Sequence, residues 1–375
     1  MKILYFFPEY STNMFGWQRV HIIDELKSHG VDVVTFNPLL FNNPYEANEV
    51  FIKKMKSDKY DLVMSSVCYE KMIFPEVLQT AKSLGIPTLC IRWDNHLKPF
   101  YDKKLSKMFD LVWLTSRETE YLYKKWGANT IFLPYAANPN AFQFIPQKIV
   151  PKACFIGTPY GSRSLMINAL TKNGINVDLY SGKNPNRQGQ PELSEQSIDT
   201  KYNIPTPSWT QTMIQRMTYK EGRKVMLGVI VNKLIGSKTV LRNEYLQWYP
   251  SCSFEDMMLN YSKYALCLSS TSTNHTDALR NPLKVVNLRA FEIPMSGGLT
   301  ICKYNEELSN YFKEDKEIIF YRNDEELIEK VHFYTQEDKA SLLMSMKIAA
   351  RERAENEHTW WWRFVKIFDK LNIDY

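Results

Sequence analysis

The chain has 375 residues, of which 44% are hydrophobic and 23% charged, so its composition excludes a disordered protein and is typical of a folded globular one. This length allows two domains of ordinary size, each with its own core. The net charge of +6 favours anionic partners such as nucleotides, lipid head groups or nucleic acid, without choosing among them.

The cysteines and the apolar runs indicate where the protein works. The six cysteines are widely spaced and form no CxxC pair, which predicts a reduced, cytosolic protein without structural zinc. The first residues, MKILYFFPEY, lack the apolar length of a signal peptide. No run reaches the roughly 18 apolar residues of a membrane-spanning helix. We therefore expect a cytoplasmic protein whose membrane contact, if any, is peripheral to the inner face of the membrane.

Strands and helices alternate through the first half of the chain. KILYFF is a predicted strand, WQRVHIIDELKSHG a predicted amphipathic helix, and VDVVTF the next strand. The same alternation continues through YDLVMSSV, VLQTAKSLG, PTLCIRW, FDLVWLTS, YLYKKWG and NTIFLPYA. Alternation with short turns predicts a parallel sheet with helices on both faces.

The alternation restarts near Pro151, which predicts a second domain of the same kind. PKACFIGT, INVDLYSG, YALCLSS, GLTICK and IIFY are its predicted strands. We predict an α/β protein of two Rossmann-like, doubly wound domains that face a cleft. The predicted domains are residues 1–148 and 149–358, joined by the linker NPNAFQFIPQKIV.

Residues 183–245 interrupt this pattern and are predicted to be an insertion in the second domain. The first part is polar and rich in Pro and Gly, which indicates an extended loop or a lid. The second part, Lys220–Lys238, is basic and predicted to be helical. It is a candidate surface for a lipid-linked acceptor or a membrane, and the alternative is a solvated helix that covers the insertion.

The segment VVNLRAFEIPMSGGLTIC carries charges inside an apolar run. A helix from about Leu283 to Ser296 would be apolar on most faces, with Arg289 and Glu292 on one polar stripe. Buried charges need a partner. The alternatives are an ion pair between these two side chains and a bound ligand.

The same segment resembles a known enzyme family. NLRAFEIPMSGGLTIC, NEELSNYF, EIIFYRNDEELIEKVHFY and HTWWWRFVKIFDKL resemble the C-terminal half of the glycosyltransferases similar to the spore maturation protein CgeB. KACFIGTPYGSR resembles the opening of their second domain, and FDLVWLTSRETEYLYKKWGANTIFLPYAANPNAF the end of the first domain in many GT-B enzymes. The resemblance implies the GT-B fold, with helix 359–375 packing back on the first domain.

The resemblance also implies a reaction. It implies transfer of a sugar from a nucleotide-sugar donor to an acceptor hydroxyl, without a catalytic metal or a cofactor, in bacterial surface-glycan (polysaccharide) biosynthesis. The expected donor is of the UDP type, the expected acceptor is a glycan or a lipid-linked glycan, and retention of configuration is favoured. In related enzymes an acidic residue stands eight positions before the ribose-binding glutamate, and here that position is Lys284, so the sugar contact and the retaining mechanism do not carry over directly.

The donor-binding residues follow from that resemblance and from turn chemistry. Glu292 would accept hydrogen bonds from ribose hydroxyls, and Gly297 and Gly298 would let the backbone approach the ligand. Gly157 ends a strand just before a helix, where backbone N–H groups can bind a diphosphate; an ordinary tight turn is the alternative. The cations available to neutralise the diphosphate are Arg163, Lys284 and Arg289.

The acceptor side is assigned to the first domain. Asp94 and His96 follow a predicted strand and could orient the acceptor or act as a base, or could form only local turn hydrogen bonds. Glu9, Tyr10 and Gly16 lie in the first strand-to-helix loop and are placed there by position alone.

Two further features have a simpler structural interpretation. His275 and Asp277 could form a metal pair, but no third ligand has clear spacing, so a solvated loop is favoured and no metal site is predicted. The Trp360–Trp362 run could anchor the chain at a membrane, although packing is the simpler explanation.

Three other functions fit the sequence. A glycosyltransferase acting on modified bases of phage DNA would suit the positive charge, although no nucleic-acid motif is present. A non-catalytic nucleotide- or sugar-binding protein is a second alternative, because fold does not fix function. A nucleotide-sugar epimerase of GT-B type is the third.

Overall fold

A computed structural model of the chain describes residues 1–9, 13–182, 208–235, 239–273 and 276–375. Its strands are β1 Lys2–Phe6, β2 Asp32–Phe36, β3 Leu62–Ser65, β4 Thr88–Arg92, β5 Leu111–Leu114, β6 Thr130–Phe132, β7 Val150–Ile156, β8 Val177–Tyr180, β9 Leu246–Tyr249, β10 Tyr264–Leu268, β11 Thr300–Lys303 and β12 Ile319–Tyr321. Its α-helices are α1 Asn13–Gln18, α2 Asp24–Ser28, α3 Pro44–Ser57, α4 Pro75–Ser83, α5 Glu120–Lys125, α6 Ser162–Lys172, α7 Trp209–Met217, α8 Lys220–Ile235, α9 Phe254–Lys263, α10 Arg289–Met295, α11 Glu306–Ser309, α12 Asp324–Tyr334, α13 Ala340–Glu357 and α14 Trp360–Leu371.

The chain divides into two compact units. The first contains Met1–Pro134, the described residues 208–223, and Trp360–Tyr375; the second contains Tyr135–Gly182 and the described part of Lys224–Thr359. The second unit therefore begins before the predicted boundary at residue 149. Ala137 explains this, because its N–H donates to the carbonyl of His358 at 3.0 Å, within the second unit.

Each unit contains one six-stranded sheet in which all neighbouring strands pair in parallel. The first sheet has the order β2-β1-β3-β4-β5-β6, and the second β12-β11-β10-β7-β8-β9. Strands such as β3 and β10 are buried along their whole length, as expected of a parallel sheet with helices on both faces. The predicted parallel sheets are thus confirmed, although the sequence patterns missed β9.

The insertion predicted at 183–245 is only partly described. The helical prediction for its basic part is confirmed by α8, whereas the predicted lid at 183–207 lies outside the described residues, as do 236–238. The described residues 208–223 belong to the first unit and not to the second. Tyr219 holds them there, because its hydroxyl donates to the carbonyl of Leu97 at 3.0 Å.

The helix predicted from Leu283 to Ser296 is shorter in the structure. It begins at Arg289, because residues 283–285 are extended and pair with residues 271–273. Thr273 N–H donates to Leu283 O at 2.8 Å, and Val285 N–H donates to Thr271 O at 2.7 Å. This backbone pairing holds residues 283–285 extended and engages the Leu283 carbonyl, which would have accepted the first hydrogen bond of the predicted helix.

Candidate functional site

The second sheet has its topological switch point between β7 and β10. The chain continues from β7 to β8 on one side, whereas β10 pairs with β7 on the other side. Ligands of open parallel sheets bind outside the carboxyl ends of the strands at such a point. The loops that follow these two strands meet there, with Ser162 Oγ 2.9 Å from Ser270 Oγ. The candidate site is therefore built on this edge of the second unit.

Gly157, the first residue after β7, lies directly against Arg289. Its φ of +131° is rarely adopted by other residues, and an added Cβ would lie 2.5 Å from Arg289 Nη2. Arg289 is the first residue of α10, and its guanidinium carbon lies 5.8 Å from the centroid of the Phe155 ring. Its side chain is thus directed at the turn after β7.

Arg163 brings a second guanidinium to the same turn. Its guanidinium carbon lies 4.3 Å from the centroid of Tyr160, and its Nη1 donates to Thr158 O at 3.1 Å. Burial and, after it, the positive charge of Arg289 together lower the pKa of Arg163 to about 10. Among the described residues, no carboxylate opposes this shift in pKa. Two guanidinium groups at one turn favour binding of an anionic ligand.

Glu292 lies beside these cations and is 7% exposed. Its backbone carbonyl accepts a hydrogen bond from Ser296 Oγ at 2.9 Å. Burial raises the pKa of the Tyr261 phenol, on which Arg289 and Glu292 act with opposite sign, so all three side chains lie in one neighbourhood. The structure thus brings a carboxylate, a guanidinium and a phenol together behind the turn after β7.

The two glycines after α10 have a packing role. Gly297 has a φ of +72°, and an added Cβ would lie 2.0 Å from Cδ2 of Phe144. A Cβ on Gly298 would lie 2.8 Å from the carbonyl oxygen of Tyr261. Both residues are buried. Packing within the protein therefore requires glycine at both positions, and the approach of a ligand to this backbone stays a prediction.

Lys284 is held away from the two guanidinium groups by a backbone contact. Its ammonium donates to the carbonyl oxygen of Tyr304 at 2.7 Å. Burial lowers its pKa, and the charge of Lys303 lowers it further. The Lys284 ammonium is therefore bound at the end of β11, whereas the guanidinium groups of Arg163 and Arg289 lie at the turn after β7.

The predicted acceptor residues lie in the first unit. Asp94 is an exposed turn residue with a φ of +46°, and its N–H donates to Thr115 Oγ1 at 3.2 Å. His96 is 4% exposed, and burial lowers its pKa. Its Nδ1 is buried without a hydrogen-bond partner among the described residues.

The first loop is organised by an ion pair. Glu9 accepts a hydrogen bond from Arg19 Nη2 at 2.5 Å, and the amide group of Asn37 binds the Glu9 backbone at 3.1 and 3.2 Å. Gly16 is exposed, and an added Cβ would meet nothing within 4 Å. Tyr10 lies outside the described residues.

Two polar side chains of the segment between β10 and α10 make contacts that the sequence did not indicate. Asn287 Nδ2 donates to Ser270 O at 2.8 Å, and Asp277 lies against Gly161. His275, proposed as a metal partner of Asp277, lies outside the described residues. Within the described part of the chain, no group of three or more His, Cys, Asp or Glu side chains is arranged to hold a metal ion. The polar run STSTNHTDALRNP was the available signal for this loop.

Comparison with known proteins gives a family match over part of the chain. Residues 223–369 match a family model described as glycosyl transferase-like. Over these residues the chain is similar to that family, and the prediction of a glycosyltransferase is confirmed at that level. No curated protein matches the chain. The finer resemblance to CgeB-like proteins stays a prediction.

Solved structures resemble the chain over its whole length. HepE from Anabaena, in complex with UDP and glucose, has a TM-score of 0.56 at 11% identity, covering 99% of both chains. Sucrose-phosphate synthase from Thermosynechococcus elongatus has a TM-score of 0.54 at 12% identity, also with 99% coverage of both chains. An α-glucosyltransferase in complex with UDP and a 13-mer DNA containing an HMU base has a TM-score of 0.57 at 13% identity, again covering 99% of both. At these identities the likeness shows the fold alone, and it confirms the predicted GT-B class.

None of the helices in the described ranges combines the length and the apolar character needed to cross a membrane.

Proposed function

We propose that the protein transfers a sugar from a nucleotide-sugar donor of the UDP type to an acceptor hydroxyl, without a catalytic metal and with retention of configuration. The donor would bind at the carboxyl ends of β7 and β10. The acceptor would be a glycan or a lipid-linked glycan of the bacterial surface, met in the cytoplasm or at the inner face of the membrane.

The pair of guanidinium groups at the turn after β7 carries this proposal. When the bond between the sugar and the diphosphate breaks, the electron pair leaves with the diphosphate, and negative charge accumulates there. Arg163 and Arg289 would stabilise that charge, and the burial that lowers the pKa of Arg163 supports this role, because electrostatic interactions are stronger in a partly dry site. They would thereby do the work that a divalent cation does in other enzymes.

Glu292 would bind the nucleoside part of the donor. Its two carboxylate oxygens can accept hydrogen bonds from two neighbouring ribose hydroxyls. Its position behind Arg289, and the fraction of its surface that remains exposed, support this role.

The acceptor would be activated by residues of the first unit. Because burial lowers its pKa, His96 is neutral at pH 7 and has the protonation state of a general base. Asp94, Glu9 and Gly16 are proposed to border the acceptor. Peripheral membrane contact is supported by exposed apolar side chains on the basic helix α8, where Leu227 is 52% and Leu234 80% exposed.

Donor binding tests the proposal directly. We expect UDP or a UDP-sugar to bind the wild-type protein in isothermal titration calorimetry. Glu292→Gln and Arg289→Ala should each weaken that binding by about 1–3 kcal/mol, the magnitude of a hydrogen bond to a charged group. Glu325→Gln, in the exposed first turn of α12, is the matched control and should leave affinity unchanged. Equal affinity of all four proteins would remove the donor site from this edge.

The product distinguishes the rival functions. Transfer, or slow donor hydrolysis that is lost in Glu292→Gln, argues against a non-catalytic binding protein. A changed sugar in the absence of acceptor would identify an epimerase.

A modified base in DNA is the alternative acceptor, supported by the net charge of +6. For that acceptor we expect affinity to fall steeply as salt increases, because binding releases counterions. Acceptor affinity that does not change with salt would exclude it.

A further inference from the structure

Asp277 is a partly exposed residue whose two carboxylate oxygens are nevertheless both buried. It lies against Gly161, the residue before α6, whose φ is +55°; a Cβ added there would be 2.7 Å from Asp277 Oδ2. Both carboxylate oxygens are buried, and neither has a hydrogen-bond donor among the described residues. Asp178 shows the usual arrangement: it accepts hydrogen bonds from Tyr264 at 2.7 Å and from Lys152 at 3.2 Å.

A carboxylate without donors is unfavourable in a folded protein. Removing its hydration costs several kcal/mol unless hydrogen bonds or an opposite charge replace the lost water. The protein supplies neither to Asp277 from its described part. A molecule that binds at this edge of the sheet and carries hydrogen-bond donors would satisfy these oxygens.

A second oxygen with the same deficit lies nearby. Asn287 Nδ2 donates to Ser270 O at 2.8 Å. The hydroxyl oxygen of Ser270 lies 2.9 Å from that of Ser162, the residue that follows Gly161. Asn287 Oδ1 is buried and has no donor among the described residues. Asp277 and Asn287 thus both contribute side-chain oxygen acceptors near the end of the turn at which α6 begins.

The turn between β7 and α6 consequently has two ends of opposite character. Arg289 and Arg163 lie at the Gly157 end, and Asp277 lies at the Gly161 end. A phosphate group is attracted to the first end and repelled from the second. Sugar hydroxyls, which are neutral hydrogen-bond donors, suit the second end.

We propose that Asp277, with Asn287 beside it, binds hydroxyl groups of the donor's sugar, and that the diphosphate lies towards Gly157. This inference rests on the proposed function and adds to it the residues that recognise the sugar and the direction in which the donor lies along the turn. Asp277 is then a specificity-determining residue, and it distinguishes a nucleotide sugar from the free nucleotide.

The test compares a nucleotide with and without its sugar. Calorimetry would measure the affinities of wild type and Asp277→Asn for UDP, UDP-glucose, UDP-galactose and UDP-N-acetylglucosamine. We expect Asp277→Asn to weaken binding of the preferred UDP-sugar by about 10- to 100-fold, as for lost hydrogen bonds to a charged group, and to change UDP affinity by less than about 2-fold. Asp338→Asn is the matched control, since its side chain is 69% exposed in the same unit.

Several outcomes would overturn this role for Asp277. Equal weakening of UDP and UDP-sugar binding, or tighter binding of both, would mean that Asp277 acts on the nucleotide or on its phosphates. A wild-type protein that binds UDP as tightly as every UDP-sugar has no sugar contact to lose. Failure of wild type to bind any of the four ligands would instead count against the proposed UDP donor.

Thermal melting provides the second readout. Because Asp277→Asn removes an uncompensated charge, we expect the ligand-free variant to melt at the same temperature as wild type or higher. A lower melting temperature with unchanged sugar selectivity would show that Asp277 has a structural role, and would reject the inference.

Discussion

His96 shows how burial controls the charge of a single residue. It lies in the turn after β4 with 4% of its surface exposed, and this burial lowers its pKa. Asp94, Glu118 and Glu221 act in the opposite direction without reversing the shift. The histidine therefore stays neutral in the folded protein at a pH where it would be protonated in the unfolded chain.

This shift predicts a dependence of stability on pH. Below the unfolded pKa of about 6.5, the unfolded chain binds a proton that folded His96 does not, so stability falls as pH decreases towards the lower folded pKa. We expect His96→Gln to reduce the loss of melting temperature between about pH 6.5 and 5. The exposed His332→Gln is the control and should melt like wild type at each pH. Parallel melting curves for all three proteins would contradict a buried, neutral His96.

At the scale of the element, α10 is a short helix held by its surroundings. It has seven residues and includes Pro294. Isolated helices of this length are unstable in water, so tertiary packing must hold it. It is followed by Gly297, whose left-handed conformation and contact with Phe144 determine where the chain turns towards β11.

Alanine substitutions at two glycines distinguish the cost of a left-handed backbone from the cost of a steric contact. Gly85 and Gly297 have φ values of +69° and +72°, but an added Cβ would meet nothing at Gly85 and the Phe144 ring at Gly297. Gly85→Ala should cost about 1–2 kcal/mol for the backbone alone. Gly297→Ala should cost about 1–3 kcal/mol more, because a methyl group is forced into a packed site. Urea unfolding would measure both, and equal losses would mean that Phe144 simply moves aside.

At the scale of the whole molecule, the last helix completes the first unit. Trp360 is fully buried, and its indole N–H donates to His21 Nδ1 at 3.0 Å. Its ring packs near those of Trp93 and Trp113, with centroids 5.8 Å away in both cases. Glu25 accepts a hydrogen bond from the N–H of Trp361 at 2.8 Å. The tryptophan run thus begins with a core residue of the first unit.

Two tryptophans of one helix test this role. Trp360→Ala should cost about 3–5 kcal/mol of stability, because it leaves a large cavity. Trp362→Ala should cost about 0.5 kcal/mol or less, because Trp362 is 45% exposed. Hydrogen exchange of the backbone amides of β1, β4 and β5 would measure how much stability the first unit loses in each variant. Equal protection in both variants would reopen the membrane-anchor interpretation of the run.

Much of this architecture followed from the sequence alone, because strand and helix periodicities are local. Apolar strands alternating with amphipathic helices were sufficient to predict two parallel sheets, and the restart near Pro151 was sufficient to predict two domains. The motif around Arg289 and Glu292 was visible for the same reason, since its residues are close together in the chain. The turn containing Gly157 and Arg163 could likewise be recognised from its place between a strand and a helix.

Contacts between distant residues were decided only by the tertiary structure. Pairing of 283–285 with 271–273 shortens α10 relative to the predicted helix. The hydrogen bond from Tyr219 to Leu97 places residues 208–223 in the first unit. The contact with Phe144 gives a packing reason for Gly297, which the sequence had assigned to ligand binding. The sequence named Asp277 only as a possible metal partner of His275, because its missing donors are apparent only in the folded chain, where it lies against Gly161. Local patterns determine which elements form, whereas burial and long-range packing determine which side chains are left to bind a ligand.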